Sequence, residues 1–79
     1  MSQIATGVEE LGAGRFLVQD EHAFDTATIY WLNEVYGDGP NDGPDRVVES
    51  KPTRYPCEIL CTADEDASGT VARITVINL

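Results

Sequence analysis

The stretch Gly37 to Asp45 (GDGPNDGPD) constrains this chain more than any other. It packs three glycines and two prolines into nine residues, a density that neither a helix nor a strand tolerates. Regular structure must therefore lie on either side of it. Before it, Asp25 to Tyr36 reads as a helix. Asp25 or Thr26 is placed to cap the first amides, with Asp20, Glu21 and Asp25 near the positive end of the dipole, and Gly37 supplies the permissive residue after the last turn. At 100° per residue Phe24, Ala27, Trp31, Leu32 and Val35 gather on one side, the expected core face. Thr26, Tyr30, Asn33 and Glu34 fall opposite, and an outward Tyr30 beside a carboxylate reads as an interface anchor.

The rest is β-patterned. Residues 3–9 and 14–19 read as two short strands joined at Gly12-Ala13-Gly14, and Arg46 to Ser50 as another. Lys51 to Pro56, with prolines at both Pro52 and Pro56, reads as a connector. The last third reads as a hairpin, with strand 57–63 meeting strand 70–78 across residues 64–69. Pairing odd positions with even ones sets Cys57, Ile59, Cys61 and Ala63 beside Ala72, Ile74 and Val76. Glu58 and Arg73 then share the other face, within reach of a cross-strand ion pair. The expected architecture is a single α+β domain, 1–79, with one helix packed on a small antiparallel sheet of three to five strands.

A chain of 79 residues buries only about 60% of its unfolded surface, leaving little room for an enclosed substrate cavity. Catalysis has few candidates. His22, the single histidine, has no nucleophile placed against it by the sequence. An enzyme built around His22 and Cys57 would need oligomerisation to assemble a site. Zinc would have Cys57, Cys61 and His22, but no C-x-x-C and no second histidine. On a strand the two cysteines lie about 13 Å apart, beyond the reach of a disulfide or a shared ion, so both read as buried apolar thiols.

Calcium has two near-matches. Asp38, Asp42, Gly43 and Glu49 fit four positions of an EF-hand loop, but Pro40 stands where an oxygen ligand is needed, and the exiting segment is β-branched rather than helical. Asp64, Asp66, Ser68 and Gly69 lack the closing glutamate. No catalytic residue, metal or cofactor is expected. The C-terminus has no Gly-Gly to conjugate. Neither a membrane span nor a signal peptide is legible, so a cytoplasmic protein is expected.

Charge is the most informative property. The chain carries 14 acidic and 5 basic residues, a net charge of −9. Residues 1–45 hold nine acids against the single base Arg15, a net of −8, whereas residues 46–79 hold five acids and four bases. Such an excess serves either solubility or attraction of a cationic partner. Direct nucleic-acid binding is disfavoured, because phosphate contacts need Lys and Arg clusters.

In size and charge the chain resembles the small acidic phage-encoded anti-CRISPR proteins. The likeness is carried by Glu9-Glu10, Asp20-Glu21, Asp25, Glu34, Asp38, Asp42 and Asp45, and by the lack of an enzyme signature. It spans the whole chain and rests on no shared motif. The resemblance implies a non-enzymatic inhibitor whose DNA-mimic-like acidic face covers a Lys/Arg-lined surface of a CRISPR-Cas surveillance complex and blocks target DNA binding. The contact residues expected are Asp20, Glu21, Asp25, Tyr30, Glu34 and Asp38. The alternative is a salt-adapted or weakly calcium-binding acidic housekeeping domain.

Overall fold

The computed structural model describes residues 2–78. The elements run β1 (Ser2–Ala5), β2 (Val8–Gly12), β3 (Arg15–Val18), α1 (Glu21–Tyr36), β4 (Arg46–Glu49), β5 (Cys57–Asp66) and β6 (Gly69–Asn78). The α+β expectation holds, with one helix packed on a sheet that ends in a hairpin. The sheet differs from expectation in size and direction. It has six strands in the order β1-β2-β3-β5-β6-β4, and β4 runs parallel to β6.

The extra strand comes from residues 3–9, which fold back on themselves. Thr6-Gly7 makes the reversal, with Gly7 at φ +79°, so β1 pairs antiparallel with β2. The next turn is at the expected place. Ala13 and Gly14 both take positive φ, the signature of a two-residue turn matched to strand twist. Gly14 has a further constraint: its carbonyl accepts the Cys61 N–H at 2.8 Å, and any Cβ there would fall on the Cys61 carbonyl oxygen. That close approach seats the first-half strands on β5.

The hairpin keeps the anticipated register, with Ile59 opposite Val76, Cys61 opposite Ile74 and Ala63 opposite Ala72. Both strands are longer than expected. Pairing continues to Asp66 and Gly69, leaving Ala67-Ser68 as the turn. Asp66 caps that turn by accepting the Ser68 N–H at 2.8 Å and its hydroxyl at 2.7 Å.

The helix begins four residues before the expected start. Asp20, not Asp25 or Thr26, is the N-cap, and its Oδ1 accepts the Ala23 N–H at 2.8 Å. The cause is Phe24. It is fully buried with Ala27 and Trp31, a three-and-four spacing that works only if Phe24 is already helical. The core is one layer deep. From the sheet come Val8, Phe16, Val18, Cys57, Ile59, Cys61, Ala72 and Ile74; from the helix come Ala23, Phe24, Ala27 and Trp31.

The last helical turn passes beyond this core. Val35, expected inside, is 47% exposed. Tyr36 turns back instead, edge-on to Trp31 with centroids 6.0 Å apart, and its hydroxyl donates to the Val71 carbonyl at 3.4 Å.

Candidate functional site

Every ion pair among the described residues draws its acid from the second half of the chain. Arg15 holds Glu58 at 2.6 Å, Lys51 holds Glu49 at 2.8 Å, Arg73 holds Asp64 at 3.2 Å, and Arg46 holds Asp66. The expected Glu58–Arg73 pair does not form. The register sets Glu58 opposite Leu17, two positions from Arg15 on the same face of β3, while Arg73 lies beside Thr62, nearer Asp64. Even the lone cation of the first half, Arg15, is thus taken by a second-half carboxylate. All nine acids of residues 1–45 are left outside ion pairs among the described residues.

Most of those nine surround the helix layer, distributed over two flanks and two ends. Asp20 caps the N-terminus. Glu21 and Asp25, both exposed, lie on the flank near Lys51 and Tyr55. There Lys51 is held above the ordinary lysine range, first by its hydrogen bond to Glu49 and then by Glu49, Asp25 and Glu21 as charges, against the opposing effect of burial. The Lys51 ammonium also lies 5.3 Å from the Phe24 ring centroid. On the opposite flank Glu10 and Glu34 lie near Tyr30. Asp38 and Asp42 occupy the exposed loop beyond the C-terminal end.

Tyr30 is not the outward anchor expected from the helical wheel. It is half-buried, packed on the core and edge-on to Phe16 with centroids 6.1 Å apart. Burial pushes its hydroxyl above the usual tyrosine range, and Glu10 and Glu34 add to this. The wheel sees only the helix, whereas Phe16 of β3 covers Tyr30 and Glu10 of β2 lies near it. The most exposed large apolar residue of the helix is Ile29, 58% accessible, ahead of Val35. Nothing in the sequence singles it out, because aromatic side chains are the ordinary anchors of interfaces and an aliphatic one is not.

His22 is exposed, whereas Cys57 and Cys61 are buried and free. Burial raises both thiols, Cys61 to about 12. No group of three or more His, Cys, Asp or Glu side chains among the described residues is placed to hold a metal ion. In the two loops with calcium-like spacing, Glu49 is on β4 bound to Lys51 and Asp66 is occupied by Ser68 and Arg46. No helix among the described residues is long and apolar enough to cross a membrane.

Two surface depressions accompany this charge pattern. One, about 460 Å³, is lined by Ser2, Gln3, Gly7, Glu9, Leu17 and Gln19 among others. The second, about 440 Å³, is a groove between α1 and β4 lined by Asp25, Thr28, Ile29, Leu32, Val47 and Glu49. No protein-family model matches the chain, and no curated protein and no solved structure matches it.

Proposed function

We propose that this protein is a non-enzymatic docking module whose carboxylate-bearing helix layer occupies a Lys/Arg-lined surface built to hold nucleic acid, and that it inhibits its partner by excluding DNA. One observation carries the reading: none of the nine first-half carboxylates is in an ion pair among the described residues, while four of the five second-half acids, Glu49, Glu58, Asp64 and Asp66, are matched to cations. A coat serving only solubility has no need to separate paired from unpaired acids. An acidic scaffold opposing a cationic groove speeds encounter, and suppresses wrong partners by like-charge repulsion. Exposed Ile29, which lines one groove with Asp25, supplies an apolar contact in place of Tyr30.

The partner class that fits the resemblance in size and charge is a CRISPR-Cas surveillance complex. Such complexes hold their heteroduplex and displaced strand through basic channels and read only a short duplex motif directly. Carboxylates on a rigid domain can engage those side chains without reproducing any sequence.

The test is DNA capture by a purified surveillance complex, with and without the protein in molar excess. Inhibition is expected, and it should weaken steeply as salt rises. The informative variant combines Glu21→Gln, Asp25→Asn, Glu34→Gln and Asp38→Asn. Asp20 is excluded because it caps the helix. The variant should lose at least tenfold in inhibition and stay folded, its melting temperature shifting by less than about 10 °C, since exposed charge changes alter stability by only about 0.5 kcal/mol each. Unchanged DNA capture with wild-type protein, or full inhibition by the variant, would defeat the proposal.

A further inference from the structure

The helix packs over β2, β3 and β5, so the far end of the sheet projects beyond it. There β4 is the outer strand, paired only with β6. Register decides which of its side chains turn towards the helix. Val47 and Glu49 lie beside Ala72 and Ile74, which are core-facing, so these two share the helix side while Arg46 and Val48 point to the other. Val47 is 43% exposed and Ile29 58% exposed; Leu32, partly buried against the core, lines the same groove.

The two edges of the sheet are not equivalent. β1 is interrupted by a register shift between Gln3 and Ala5, the kind of bulge that blunts an edge against further pairing. β4 has no such break: Arg46 to Glu49 pair in unshifted register. Its outward N–H and C=O groups form a short regular template of about 13 Å. Beside that template lies an apolar groove, and at its end sits an excess of negative charge. Asp25 and Glu49 both line that groove, and Glu49 shares the one nearby ammonium among the described residues, Lys51, at 2.8 Å.

We propose that β4 is a strand-addition site: an extended peptide segment of a partner pairs with Arg46–Glu49 as a seventh strand, places an apolar side chain between Ile29, Leu32 and Val47, and sets a Lys or Arg two residues away towards Asp25 and Glu49. The two-residue spacing comes from strand geometry, because alternate side chains of the added strand share the groove face. Main-chain hydrogen bonds supply affinity in this mode, and the alternate pockets supply selectivity. The occupant is a cationic segment and not a second copy of this chain. Two copies would bring their Asp25 and Glu49 carboxylates together on a background of −9 each. The site stands independently of DNA exclusion.

The probe is a synthetic nine-residue peptide alternating leucine and threonine with lysine, titrated into the 79-residue protein by calorimetry and amide-resolved NMR. A permuted peptide of identical composition, its apolar residues made adjacent, is the control. The alternating peptide should bind at least tenfold tighter than the permuted one. It should also slow amide hydrogen exchange in β4, which simple charge attraction does not do. Val47→Lys and Ile29→Lys should each weaken binding at least tenfold, while Val35→Lys, equally exposed but outside the groove, leaves it unchanged. Asp25→Asn should weaken binding about threefold and flatten its salt dependence. Equal affinity for the two peptides, exchange protection on β1, or self-association of the free protein through β4 would each overturn the inference. No nucleic-acid-binding complex enters the assay, so its outcome is separate from that of DNA capture.

Discussion

Cys61 lies between helix and sheet with 3% of its surface accessible, and its thiol is pushed up to about 12 from an ordinary value of 9.0 because burial disfavours the thiolate. Such a shift couples stability to pH. In the unfolded chain the thiol ionises near pH 9, while in the fold it stays neutral. Its contribution is therefore fully present below pH 9 and is lost progressively between 9 and 12, where the unfolded state binds fewer protons. The limiting slope is about 1.4 kcal/mol per pH unit. Cys57 moves in the same direction through burial. Urea unfolding at pH 7, 8, 9 and 10 should show a free energy flat to about pH 8.5 and falling beyond it. Cys61→Ala should start lower by about 1–2 kcal/mol, since it removes a buried side chain, yet fall less steeply above pH 9. Parallel alkaline limbs in the two proteins would refute the assignment. Both cysteines are legible as buried apolar residues from their spacing on a β-patterned run. Tyr30 is not, because its burial comes from strands distant in sequence.

At the scale of elements, local chemistry is readable and long-range pairing is not. The hairpin register comes from matching two alternating apolar sets, and the structure keeps it. The split of residues 3–9 into β1 and β2 rests on a single glycine at φ +79° in a weakly patterned segment. The parallel placement of β4 against β6 has no local signature at all. It is made by a crossover whose ends are fixed by the Ser50 N–H to the Ile74 carbonyl and the Asp45 N–H to the Thr70 carbonyl, both 2.9 Å. Sequence alone starts the helix four residues late because Asp25 and Thr26 are also good caps, and only Phe24 packing discriminates among them. Asp20 accepts the Ala23 N–H, so Asp20→Ala should cost about 1 kcal/mol, near 5 °C in a domain of this size. Asp20→Asn, which keeps an acceptor, should cost only a few tenths. Asp25→Ala, an exposed position inside the helix, should be nearly neutral. Thermal melts of the three variants check the order, and a larger loss at Asp25 than at Asp20 would place the cap elsewhere.

Across the whole molecule, an asymmetry of sequence becomes an asymmetry of space because the sheet does not intermix the two halves. β1, β2 and β3 come from the acidic half and lie on one side of the β3–β5 seam; β5, β6 and β4 lie on the other. Uneven charge is legible in the sequence, but which carboxylates meet cations, namely Glu49, Glu58, Asp64 and Asp66, requires the topology. The docking and salt-adapted readings predict different responses to salt. The molecule measures 34 × 22 × 20 Å, and the screening length falls from about 30 Å at 0.01 M to about 10 Å at 0.1 M and 3 Å at 1 M. Repulsion among the unpaired carboxylates therefore acts across the whole domain at the lowest salt and only between neighbours at 0.1 M. Relief of that repulsion, on the order of 1 kcal/mol, should raise the melting temperature by about 5 °C, most of it below 0.2 M, with a plateau by 0.5 M. A protein whose acids exist to organise water and cations in brine should instead keep gaining stability into molar potassium chloride. Calcium at 5 mM and constant ionic strength should add less than about 1 °C, since a site occupied far above its dissociation constant would stabilise by more than 2 kcal/mol. A melting curve that climbs steadily to 2 M salt, or jumps with calcium, would mean that the first-half carboxylates serve solvation or ion binding, and the docking function would have to be abandoned.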